Sequence, residues 1–166
     1  MTEIHIPHSL YRRFRDDFGE RVEHVGFFLA DYDREAQCFV AREWRAMAEK
    51  DYEIQTDFHV SLKDNVRGEV IKWAWDEHAS LIEIHSHGPR FEAEFSPSDM
   101  MGFEDWVPHL WWRLRGRPYA AIVTAGETTD AMAWVETADR PEQVSCIRVA
   151  NEILVTTGNT IARRGR

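Results

Sequence analysis

Two histidines one residue apart, His85-Ser86-His87, are followed eight residues later by the run Ser96-Pro97-Ser98-Asp99. On a β-strand, side chains at i and i+2 leave the same face. The two imidazoles therefore project side by side, their Cα atoms ~6–7 Å apart. That spacing lets both ring nitrogens converge on one ion at ~2.1 Å. An HxH alone is a weak signal, because paired strand histidines occur on many surfaces. The second run adds to it. Ser96 suits a helix N-cap, Pro97 the first helical position, and Asp99 falls three residues after the cap. By itself this is a well-made helix start of the capping-box kind. Coming after so short a loop, it also returns a carboxylate to the histidines. Two His and one Asp, with a fourth position open, is the catalytic rather than the structural form of a zinc site.

Hydrolysis at such a site needs a base for water and a donor for the developing oxyanion. Ser96 can supply the donor. Glu23 is the candidate base, since it opens an otherwise apolar stretch where a charge needs a reason to be; a solvent-exposed strand entrance is the plainer explanation. Glu83 lies on the same strand face as His85 and rivals Glu23. His24 neighbours Glu23 but points to the opposite face of a regular strand. His5, His8, His59, His78 and His109 are scattered. Glu92 and Glu94, in the loop after the histidines, are solvated or touch a substrate.

The elements that must position these groups follow from periodicity. Ser9–Phe18 predicts a short helix capped by Ser9 and stopped by Gly19, with Leu10, Phe14 and Phe18 on one face. Val22–Ala30 reads as a buried strand, and the segment from Cys38 as its hairpin partner. A further strand is expected over Phe58–Leu62. A helix is expected over Lys63–Ala79, where Val66, Val70, Trp73 and Ala74 share a face. Ser80–His87 is a strand broken by Gly88-Pro89, and Ser96 opens a helix to about Trp112. Tyr119–Thr124 and Ala131–Glu136 form a last antiparallel pair. Val144–Val155 suits either strand or helix. Without strict βαβ alternation, the expected class is α+β, a mixed α/β sandwich with a mostly antiparallel central sheet flanked by helices.

Length and composition set bounds. A chain of 166 residues fits one domain. With 20 Lys+Arg against 29 Asp+Glu, the net charge of −9 disfavours a nucleic-acid partner. The basic cluster Arg163, Arg164 and Arg166 is too short to reverse that. Cys38 and Cys146 form no CxxC pair and lie in apolar surroundings, so both read as buried thiols. The opening MTEIHIPHSL lacks the pattern of a signal peptide, and no apolar stretch approaches membrane-spanning length; a cytoplasmic protein is expected. Of the seven tryptophans, Trp111 and Trp112 cannot both face one core from a helix. One of them is expected at the surface, at a homodimer or substrate interface.

The string HSH-x8-SPSD, preceded by Glu23-x-x-Gly26, resembles the JAMM (JAB/MPN) zinc metalloprotease family. The resemblance covers about residues 9–136, and the segment from 141 to 166 is an extension to it. It implies zinc held by His85, His87 and Asp99, Glu23 as general acid/base and Ser96 stabilising the tetrahedral intermediate. It also implies a JAB/MPN-like fold and cleavage after the C-terminus of a ubiquitin or ubiquitin-like protein, in deconjugation or precursor processing. The short segments between strands favour a small prokaryotic-type member. One departure is Gly88 where proline usually follows HxH, with Pro89 one place later. A catalytically silent scaffold of the same fold, or another metal-dependent hydrolase, are the alternatives.

Overall fold

All residues from Val25 to Ala30 are buried, although their side chains alternate across a strand. Both faces must therefore be covered, and they are. In the computed structural model of the chain, residues 1–18 and 22–165 are described. Gly19, expected to stop the first helix, and Arg166, with the side chain of Arg164, lie outside the described residues.

The chain runs β1 (Glu3–Ile6), α1 (His8–Asp17), β2 (Val25–Asp33), β3 (Cys38–Ala46), β4 (Tyr52–Gln55), β5 (Val60–Leu62), α2 (Asp64–Asp76) and β6 (Ser80–His87). It continues through α3 (Pro97–Arg113), β7 (Tyr119–Ala125), β8 (Thr128–Trp134), β9 (Glu142–Gln143), β10 (Cys146–Val149), β11 (Glu152–Val155) and α4 (Asn159–Arg164). Nine strands form one mixed sheet in the order β11-β10-β1-β3-β2-β6-β7-β8-β9, and β4 and β5 form a separate hairpin. The class is α+β, as the sequence predicts. The β1–β10, β1–β3 and β6–β7 pairs are parallel, and the remaining ladders antiparallel.

On one face Phe27 and Leu29 of β2 meet Val66, Val70 and Ala74 of α2 and Phe103, Val107 and Leu110 of α3. On the other, Phe28 and Ala30 pack with Leu10 and Phe14 of α1. Both helices of the first face show the i, i+4 apolar spacing that lets a helix bury one stripe. Gly26 is fixed by close approach: a Cβ there would lie 2.1 Å from Trp44 Cη2. The Trp44 indole lies over that backbone and donates to Asp17 Oδ2 at 2.6 Å.

Several local expectations shift. Pro7, not Ser9, occupies the N-cap position of α1, because proline's fixed φ suits the entry to a helix. β1 was not expected; it is held by parallel partners on both sides. Val144–Val155 resolves into the antiparallel hairpin β10–β11. Cys38 and Cys146 are both buried and free, and burial pushes the Cys38 thiol up to about 11. Trp112 is exposed and Trp111 half-buried. Among the described residues, no helix is long and apolar enough to cross a membrane.

Candidate metal centre

β6 lies at the middle of the sheet, paired on one side with β2 (Val25 opposite His85) and on the other with β7 (His85 opposite Val123, His87 opposite Ala125). Alternation sends Glu83, His85 and His87 to the face that α2 and α3 cover. α3 begins there. Ser96 Oγ accepts from the Asp99 amide at 3.1 Å, and Asp99 Oδ2 accepts from the Ser96 amide at 2.7 Å, closing a reciprocal capping box. This delivers Asp99 Oδ2 to 3.5 Å from His85 Nε2 and 3.2 Å from His87 Nε2. The two Nε2 atoms are themselves 3.2 Å apart.

Whether these groups fit a metal can be judged from that triangle. Ligands at ~2.1 Å in a tetrahedron stand ~3.4 Å from one another. Edges of 3.2, 3.2 and 3.5 Å match that value closely. The donor set, two imidazole nitrogens and one carboxylate, suits a divalent transition metal, and among the described residues these three make up a group able to hold an ion. Behind His85, Glu83 Oε1 is 3.7 Å from Nδ1. Its other oxygen accepts from the Tyr119 hydroxyl at 2.6 Å, which in turn accepts from Trp106 Nε1 at 3.1 Å. Glu83 therefore faces the far nitrogen of His85 and orients the ring, leaving Nε2 for the site.

Electrostatics bind the cluster together. Burial favours neutral His85, but the Asp99 and Glu83 carboxylates outweigh it and push the ring up to about 10. Burial would raise the Asp99 carboxyl, yet the two imidazoles hold it well below the usual carboxylate range.

Glu23 lies just ahead of β2 rather than inside a strand. Its amide donates to Thr56 O at 2.9 Å and its carbonyl accepts from Gln55 Nε2 at 3.0 Å, so the β4–β5 hairpin fixes its backbone. The residue is only 7% exposed, and its carboxylate comes within 3.9 Å of His87 Nε2. Burial raises its pKa, with His87 opposing. Glu23, His87, Ser96 and Asp99 line one open cleft of about 500 Å³, with the exposed Phe58 and Phe91 at its rim. The structure thus brings together all five residues singled out from the sequence. His24 turns away and stacks on Phe18.

Sequence reasoning missed what holds the loop between the histidines and Asp99. Asp130 on β8 is 1% exposed. Its Oδ1 accepts from the Gly158 amide at 3.0 Å, and its Oδ2 from the Thr160 amide and hydroxyl at 3.0 and 2.7 Å. Thr160 Oγ1 then accepts from the Phe95 amide, and Thr157 Oγ1 donates to Ala93 O. Asn159 Nδ2 donates to Glu92, and Arg163 pairs with Glu94 at 2.6 Å. Phe95 sets its ring edge-on to His85, 5.4 Å between centroids. An aspartate inside a strand with polar neighbours on one side gave no signal of this role.

No family model matches the sequence, and no curated protein matches it. Among solved structures, the chain is similar to the solution structure of protein DSY2949 from Desulfitobacterium hafniense, with a TM-score of 0.57 and 12% identity over 90% of this chain and 94% of that one. That likeness shows a shared fold.

Proposed function

We propose that the chain is a zinc-dependent peptidase of the JAMM type, hydrolysing an amide bond at the C-terminus of a ubiquitin-like protein. The observation that carries this reading is the near-tetrahedral triangle of His85, His87 and Asp99 with the buried Glu23 carboxylate beside it. The order of a helix, a hairpin, a second helix, the HxH strand and the SxxD helix supports it. When bound, zinc would acidify water towards pKa ~7 and polarise the substrate carbonyl. Glu23 takes a proton from the attacking water and delivers it to the leaving nitrogen. Its burial makes it a stronger base than an exposed glutamate. Ser96 Oγ accepts from the Asp99 amide and keeps its own hydrogen to donate to the oxyanion in the cleft. Tyr119 and Trp106 fix the Glu83 carboxylate that faces His85 Nδ1.

The test joins zinc content with cleavage of a ubiquitin-like fusion by wild type and Glu23→Gln. We expect one zinc per chain in both, and a loss of cleavage of ~10²–10⁴-fold in the variant. Wild-type protein that binds no zinc would point instead to a scaffold. Zinc with Glu23→Gln fully active would retain the metal site and remove Glu23 as the base.

A further inference from the structure

Between the outer faces of α2 and α3 lies an open groove of about 880 Å³. Ile71 and Trp111 line it together with Trp75, 40% exposed, and Trp112, 74% exposed. From Asp99 to Trp112, α3 rises about 20 Å at ~1.5 Å per residue, so this end of the groove is apart from the metal centre. We propose that the groove is a docking site for a short acidic peptide segment of a partner protein. Its carboxylates are held by the arginines at the groove, and an apolar side chain rests against Trp75 and Trp112. The proposal goes beyond the peptidase reading and does not depend on it.

Positive charge gathers here against the balance of the chain. The net charge is −9, yet four cations, Lys72, Arg113, Arg115 and Arg117, surround these indoles. Lys72 is matched by Asp76 one turn on. No carboxylate among the described residues forms an ion pair with the three arginines. The end of α3 accounts for Arg113, since a helix C-terminus favours a cation in its last turn. It does not account for Arg115 and Arg117. Both lie over the Trp75 ring, 5.2 and 5.4 Å from its centroid. Arg117 is tied down by donating to Ala74 O and Ala79 O, and burial together with the Arg115 charge pushes its pKa down. Two like charges on one indole repel. A carboxylate brought to them relieves that repulsion and meets the planar fork of a guanidinium.

The floor of the groove is shaped for close approach. Gly68 sits inside α2, where glycine weakens a helix relative to alanine. A Cβ there would meet nothing else of the chain within 4 Å, so packing does not require glycine. Its bare backbone leaves room for an occupant. Exposed tryptophans beside arginines are also the residue types that carry most binding energy at protein interfaces. A two-fold dimer through this face would set arginines against arginines. A nucleic acid would bring a long polyanion to a chain of net charge −9. A short acidic segment satisfies the arginines and brings little charge to repel elsewhere.

The probe is the peptide acetyl-Asp-Glu-Leu-Asp-Glu-Phe-amide, titrated into the full chain while the indole N–H resonances of Trp75 and Trp112 are followed by NMR. We expect both to shift, with binding weakened several-fold from ~50 to ~300 mM salt. The same peptide with Asn and Gln in place of Asp and Glu should bind at least tenfold more weakly, and Arg115→Gln should lose at least tenfold in affinity. Gly68→Leu should lose as much while keeping Tm at or above that of wild type, because leucine is the better helix former. That variant separates a filled groove from a damaged fold. Equal binding of the charged and neutral peptides would overturn the proposal, as would wild-type affinity in Gly68→Leu or no shift at millimolar peptide. Tighter binding of oligothymidylate than of the acidic peptide would overturn it in favour of a nucleic-acid site. Self-association in sedimentation that shifts the same indoles without peptide would overturn it in favour of a second copy.

Discussion

The two histidines and the aspartate of the candidate centre are held in place by different means. His85 and His87 sit on a strand laddered on both sides, so sheet register fixes their spacing and direction together. Asp99 sits at the start of a helix, after a loop from 88 to 96 that forms no strand. It is placed by its own capping box and by side chains of β8 and residues 157–163 that grip the loop. Two ligands are thus preset by a repeating lattice, and the third by a chain of individual hydrogen bonds. The second arrangement depends on single residues far away in sequence.

That contrast can be broken most sharply at Asp130. Asp130→Ala leaves the half-buried Gly158 amide and the buried Thr160 amide without an acceptor, costing about 3 kcal/mol. We expect a marked fall in Tm and, at a temperature where the protein stays folded, zinc binding weakened ~10-fold in chelator competition. Unchanged zinc affinity would show that the loop needs no such anchor. Thr128→Val removes the hydroxyl that accepts from the Ala93 amide and should weaken zinc binding several-fold, at a stability cost of about 1–2 kcal/mol. Ser96→Ala removes the N-cap acceptor and should cost about 1 kcal/mol by denaturant unfolding. Arg148→Ala, at the far edge of the sheet, is the contrasting case. Arg148 holds Glu3 through two hydrogen bonds and lowers its pKa from 4.5 to about 2. With the folded value depressed, the stabilisation is present above about 4.5 and is lost as pH falls towards about 2. The variant should flatten that acid limb of the stability profile and leave zinc affinity unchanged; a change in affinity would mean the edge communicates with the site.

The same contrast explains what the sequence disclosed. Ser80–His87 was legible to the residue, because apolar alternation and a Gly-Pro break are local signals. So was the start of α3, since Ser-Pro-x-Asp encodes its own cap. Glu23 was legible as a misplaced charge, but not its setting: strand pairing begins only at Val25, because Thr56 and Gln55 use the Glu23 backbone. β1 escaped because four residues carry too little periodicity, and its partners lie far away along the chain. Asp130 escaped for a related reason: it looks like an ordinary polar residue until tertiary packing decides what it faces.

Glu3 pairs with Cys146, and Thr160 supports the loop beside the ligands. During synthesis, then, the nascent chain carries all three ligand side chains long before the supports of the third exist. The ribosome must release residues through about 163 before Asp99 is held, and long-range closure of this kind is slow. The placement of Asp99 beside the two histidines is therefore a late event, completed once residues 157–163 can reach the loop.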